Sequence, residues 1–292
     1  MNAQTLAANL TSYALQVALL LGVGLLLPAF LRPGPPRVCL RYWQGLLLAI
    51  LLLPVLQLGR SPAEPAMAFT GWIEAVAVPG AQAPGALPLY GFVLLALAAG
   101  TLGRLLWLLL GLRTLRAYRR GARPAVLDPA IQEVFREVGA RARILVSDDV
   151  PGPVTFGWRN PTVLLPSAFF ELPLRAQQGI ACHELLHVRR RDWLFALFEE
   201  GVRALLWFHP AVWALLSRIA LTREQVVDGE VVRLTGARRA YLEALRSIAC
   251  VDRRAAIPGL PFLNRGHLFQ RVAQLTKEVT MSRTRVATLM TT

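Results

Sequence analysis

Ala181-Cys182-His183-Glu184-Leu185-Leu186-His187 lies among apolar residues at helical spacing and carries the pattern HExxH. Residues four apart share one face of a helix, so His183 and His187 can both aim an imidazole nitrogen at a single ion. Glu184 stands beside them as a general base. The stretch therefore predicts a helix presenting a catalytic zinc site. Cys182 points to a different side of that helix and reads as packing.

A two-histidine site needs a third protein ligand if one position is to stay open for water. On the helix after the next one, Thr222-Arg223-Glu224-Gln225-Val226-Val227-Asp228 places Glu224 and Asp228 four apart. Glu224 can complete a His/His/Glu set. Asp228 can accept a hydrogen bond from the distal nitrogen of one histidine and so fix its tautomer. The plainer alternative is that both acids solvate a surface helix among Arg218, Arg223 and Arg233. His209, in Leu206-Trp207-Phe208-His209-Pro210, precedes a proline between two apolar helices. It either holds that turn or assists the site, and it is carried as an auxiliary candidate. His267 has no metal-like partner in the sequence.

Ahead of the HExxH, the spacing of Ile131, Val134, Phe135 and Val138 predicts an amphipathic helix between Pro124 and Arg141. Three β-rich runs follow: Arg143-Ile144-Leu145-Val146, then Val154-Thr155-Phe156-Gly157, then Thr162-Val163-Leu164-Leu165. The last two are joined by the turn signal Trp158-Arg159-Asn160-Pro161. The outer strand of such a small sheet could hold an extended peptide by backbone pairing, and Thr162, Val163, Leu164 and Leu165 are the candidate substrate-binding residues. An ordinary structural hairpin is the alternative. A helix then starts near Pro173 and ends in Arg189-Arg190-Arg191. The stretch from Trp193 to Leu216 is apolar enough for a span, yet it contains Glu199, Glu200 and Arg203. It is expected to pack at the membrane face or against other spans.

With 54% hydrophobic and 17% charged residues among 292, and a positive mean hydropathy, the chain is too apolar for an ordinary soluble protein. Met1 to Leu31 carry no charge, and Tyr13 to Phe30 can cross a hydrocarbon core of about 30 Å. Nothing basic precedes this run, which favours an uncleaved anchor over a signal peptide. A second run, Tyr42 to Leu58, opens on a Tyr-Trp pair suited to the interface and contains Pro54. The third, Leu89 to Leu112, contains Arg104, read as snorkelling towards the basic end that starts at Arg113.

Arg32, Arg37 and Arg41 follow the first run, and Arg113, Arg116, Arg119, Arg120 and Arg123 follow the third. The loop from Ser61 to Ala86 sets Glu64 and Glu74 against Arg60 just before it. The positive-inside rule then puts the N-terminus outside and everything after Arg113, including the HExxH, inside. Cys39, Cys182 and Cys250 form no pairable pattern, which fits a reducing compartment. The net charge of +14 raises nucleic-acid binding, but no recognition motif accompanies it. Arginines at span ends point to membrane lipid as the partner and to no nucleic acid.

Four blocks in order carry a family likeness: Pro153-Val154-Thr155-Phe156-Gly157 with Val163-Leu164-Leu165-Pro166, HELLHVRRRDW from His183, WFHPAVW from Trp207, and REQVVDGEVV from Arg223. Together they resemble the integral-membrane zinc metallopeptidases of the BlaR/MecR antibiotic-sensor type. The resemblance implies His183, His187 and Glu224 as ligands of one Zn2+, Glu184 as catalytic acid/base, and Asp228 as the acid behind a ligand. It departs at Val227, where many members carry cysteine. Members also usually continue beyond a segment like Leu275 to Arg283 into a fourth span, whereas this sequence stops at Thr292.

The expected architecture is α+β, mostly α. A membrane domain of three helices over 1–112 (spans at about 13–30, 42–58 and 89–112) precedes a cytoplasmic zincin-like metallopeptidase domain with a small β-sheet over 113–258, and a C-terminal segment at 259–292 leads towards the absent fourth span. The resemblance further implies a bacterial inner-membrane protein that hydrolyses a cytoplasmic protein, such as a transcriptional repressor, or its own chain, to relay a membrane signal in an antibiotic response. A homo-oligomer is left open.

Two rival readings stand beside this one. A non-catalytic receptor or scaffold with structural zinc would want a fourth protein ligand, and only three good candidates are found. A housekeeping membrane protease resembling HtpX or the CAAX-processing enzymes would share HExxH and a later ExxxD, but the WFHP block and the strands before the HExxH favour the sensor type.

Overall fold

The apolar runs near the N-terminus form helices α1 (Ala3–Phe30), α2 (Pro36–Leu58) and α3 (Ala86–Gly121). All three are long and apolar enough to cross a membrane, as expected of backbone that must satisfy its own hydrogen bonds in hydrocarbon. In this computed structural model the described residues are 3–30, 34–58, 86–251 and 270–276. The Arg32, Arg60, Glu64 and Glu74 charges, the 61–85 loop, the Cys250 side chain, His267 and the rest of the 259–292 segment lie outside them.

The chain divides into two compact units, Met1–Leu102 with Leu206–Leu215, and Gly103–Leu205 with Leu216–Thr292. In the first, Val17, Leu21, Leu40, Trp43, Leu47 and Ile50 are buried. Tyr42 donates to the Gly24 carbonyl at 2.7 Å, and Tyr13 to that of Ile50 at 3.1 Å. A Cβ on Gly24 would stand 2.5 Å from a Leu46 methyl, which would have to shift to admit it; small residues let membrane helices approach closely. Leu19, Val23 and Leu26 on α1 and Phe92 and Leu95 on α3 are exposed, a pattern suited to lipid rather than water.

The WFHP block belongs to this unit. Trp207 lies against Gly100, where a Cβ would clash with the indole, and donates to the Leu97 carbonyl at 3.2 Å. His209 is buried, with Nε2 3.1 Å from the Ala14 carbonyl.

The second unit holds a four-stranded mixed sheet of order β1-β2-β4-β3, built from β1 (Arg123–Pro124), β2 (Arg143–Val146), β3 (Val154–Phe156) and β4 (Thr162–Leu165). Strand β4 runs parallel to β2 on one side and antiparallel to β3 on the other. Helix α4 (Pro129–Val138) starts where Asp128 accepts from Ala130 N at 2.8 Å and ends on Gly139 at φ 67°, the capping and left-handed termination that its sequence favours. Helices α5 (Leu174–Arg190), α6 (Asp192–Leu205), α7 (Pro210–Thr235) and α8 (Arg238–Val251) follow.

The HExxH helix α5 is held on two flanks. Ala181 and Ile180 pack with Val163, Leu165 and Phe169 towards the sheet. Cys182, Leu185 and Leu186 pack with Val227, Val231 and Tyr241 towards α7 and α8. Cys182 is indeed packing: burial pushes its thiol up to about 12, which leaves it unreactive.

One expectation gains detail and one changes. The Trp193 to Leu216 stretch is broken at the turn before Pro210 into α6 and the start of α7, and its charges are buried in pairs, Glu199 with Arg223 and Glu200 with Arg203. Arg104, read as snorkelling, is half-buried and stands close enough to Glu200 to pull its carboxyl down, although burial pushes that carboxyl up overall.

Candidate metal centre

Helix α5 brings His183 and His187 onto one face, with Nε2 atoms 3.1 Å apart. Two nitrogens about 2.0–2.1 Å from a tetrahedral ion would stand about 3.3 Å apart, so the pair already has the spacing of joint ligands. Helix α7 adds Glu224, whose Oε2 is 3.4 Å from His183 Nε2 and whose Oε1 is 3.5 Å from His187 Nε2. One ligand atom from each of these three residues can be chosen so that all lie within 4.8 Å of one another. Two imidazoles and a carboxylate are a donor set suited to zinc with a position left for water.

The residues around these three fix their orientation. His187 Nδ1 lies 2.8 Å from Asp192 Oδ2, at the start of α6. Burial alone would raise the Asp192 carboxyl, but His187, Arg190 and Arg223 outweigh it and hold it below the usual carboxylate range. On the other side, His183 Nδ1 is 2.8 Å from the Tyr241 hydroxyl, which donates to Asp228 Oδ1 at 2.6 Å. Asp228 Oδ1 is also 3.3 Å from His183 Nδ1. Carboxylates behind metal-binding histidines set the tautomer that leaves Nε2 free for the ion. Burial would raise Asp228 too, yet Arg271 and His183 lower it to about 2. Glu224 is likewise held well below its usual range: burial would raise it, but Arg271, His187 and His183 together outweigh burial.

Glu184 Oε2 accepts a hydrogen bond from the Thr155 hydroxyl on β3 at 2.7 Å, so an edge strand holds the carboxylate in place. Thr162, Val163, Leu164 and Leu165, the expected peptide-binding residues, do not have the required position. They form β4, an inner strand with both edges paired and all four residues buried, so no peptide can add to it. The strand next to Glu184 is β3, at the end of the sheet order. His209 is not among the groups assembled here, since its ring is engaged with the Ala14 carbonyl in the first unit.

Residues 64–275 match the family of the BlaR1 peptidase, M56. The chain belongs to the BlaR1 peptidase M56 family. Over 77 residues it is 31% identical to the regulatory protein BlaR1 of Bacillus licheniformis. That alignment covers 26% of this chain and 13% of the relative. The family is one of metal-dependent peptidases, and three helices of this chain are long and apolar enough to cross a membrane.

Sequence reasoning missed four parts of this M56 site. Thr155 and Asp192 stood inside quoted blocks, and a histidine followed five residues later by an acid at a helix junction was a usable signal for Asp192. Tyr241 and Arg271 carried none, because only the packing of α8 and the helical stretch at 270–276 brings them in.

Burial would lower the His183 pKa, but hydrogen bonds to Asp228 and Glu224 outweigh it and push it up from 6.5 to about 9. The imidazolium therefore stabilises the metal-free fold fully below about pH 6.5, and that stabilisation is lost as pH rises towards 9. Metal binding needs the neutral ring. Over the same window the metal-free Tm is expected to fall while zinc affinity rises, and calorimetry in buffers of differing ionisation enthalpy should detect proton release on zinc uptake at neutral pH. A zinc affinity independent of pH across this window would contradict the assignment.

Proposed function

We propose that this chain is a membrane-embedded zinc endopeptidase that cleaves a cytoplasmic protein, a repressor or its own chain, in signal-transducing regulatory proteolysis. The observation that carries the reading is the convergence of His183, His187 and Glu224 beside a Glu184 carboxylate held by the edge strand. His183, His187 and Glu224 would hold the ion. When bound, zinc supplies Lewis acidity for activating water and polarising the scissile carbonyl. Glu184 takes a proton from water and delivers it to the leaving amine. Asp192 orients His187, and Tyr241 with Asp228 orients His183.

The outer edge of β3, which pairs with no strand among the described residues, would take the substrate as an added strand, with Thr155 bridging that edge to the base. The N-terminus lies outside and the 113–258 domain in the cytoplasm, a reading supported by the arginines that follow α1 and end α3.

The test is chelation and reconstitution of the chain in lipid nanodiscs. About one zinc per chain is expected, with cleavage of a denatured protein library lost on chelation and restored by stoichiometric zinc. Cleavage that survives complete metal removal would reject the reading.

A further inference from the structure

Arg271 comes from the helical stretch at 270–276, well beyond the catalytic helices, and is 4% exposed. Its Nη1 lies 2.9 Å from Glu224 Oε2, its Nε 2.8 Å from Asp228 Oδ2 and its Nη2 2.7 Å from Asp228 Oδ1. One planar guanidinium thus holds two acids one helical turn apart, a task that an ammonium on a flexible stem cannot copy. The stretch is itself seated: Leu275 is buried in the core cluster that contains Tyr241, and Arg238 donates to the Leu275 carbonyl at 3.2 Å.

We infer that Arg271 is a positioning residue of the metal centre, which engages Glu224 Oε2 so that Glu224 offers the ion the single oxygen Oε1 and the centre stays four-coordinate. This rests on the zinc reading above. Without the guanidinium both Glu224 oxygens, each already within 3.5 Å of a histidine Nε2, are free to close on the ion. That would raise the coordination number and use the position water needs. The 270–276 stretch is then a working part of the centre rather than a tail.

The experiment loads full-length chain with Co2+ in place of zinc and reads the visible ligand-field bands, which are intense for four-coordinate cobalt and weak for five or six. Wild type should absorb strongly, Arg271→Met severalfold less, and Arg271→Lys in between. Zinc affinity in Arg271→Met should change by roughly 10-fold or more, as is usual when a group behind a ligand is lost. A weak wild-type spectrum overturns the inference without any variant. So does a folded Arg271→Met with the wild-type spectrum. Should Arg271→Met fail to fold, Arg271→Lys decides: an unchanged spectrum overturns the inference and a weakened one supports it. Failure of wild type to bind cobalt or zinc at all overturns the metal reading itself, and this inference with it.

Discussion

Replacing Glu184 with glutamine is expected to lower turnover by roughly 10²- to 10⁴-fold, the usual worth of a positioned acid/base, while leaving zinc content at the wild-type level. Glutamine keeps the volume and can still accept from the Thr155 hydroxyl, so the packing around this buried residue is conserved. It cannot take a proton from water. Zinc analysis of the purified variant beside a cleavage assay separates the roles. Loss of zinc would make Glu184 a ligand rather than the base, and retained turnover would remove it from the chemistry.

The second large effect concerns stability. Glu199 and Arg223 form a pair in which each residue is 5% exposed. Burial pushes the Glu199 carboxyl up even with Arg223 beside it, so Glu199 left alone can protonate and become neutral. Arg223 has no such escape, because a guanidinium does not deprotonate in proteins. Glu199→Leu should therefore be the worse single change, costing about 3–5 kcal/mol, or a fall in Tm of about 10 °C. Arg223→Met should cost less. The double variant should recover most of the loss, since replacing a buried ion pair with apolar groups of similar size is often close to neutral. Thermal unfolding of the three variants checks this order, and a double variant as unstable as Glu199→Leu would contradict it.

What the sequence reveals and what it withholds divide along physical lines. Helix α5 is legible because metal spacing and apolar spacing coincide in ten residues around His183. Three apolar runs become α1, α2 and α3 because length and the absence of charge are local properties, although α3 extends to Gly121, well past Leu112. Strands β2, β3 and β4 are readable, but the two-residue β1 (Arg123–Pro124) and the order of the sheet are not. Strand β4 pairs in parallel with β2 as well as with its hairpin partner β3, and this long-range pairing moves Thr162–Leu165 inside the sheet. Arg104 misleads because a snorkelling arginine and one facing a carboxylate on another helix look alike in sequence. Arg271 is 43 residues from Asp228, and nothing local marks it as part of the centre.

The central claim is that His183, His187 and Glu224 bind a zinc that works with Glu184 to cut protein chains. Its most direct test is a quantitative survey of protein N-termini in cells expressing wild type or the Glu184→Gln variant at equal levels. New N-termini found only with wild type are predicted, and they would name the substrate and the bond cut. Identical profiles, with zinc bound in both proteins, would contradict it.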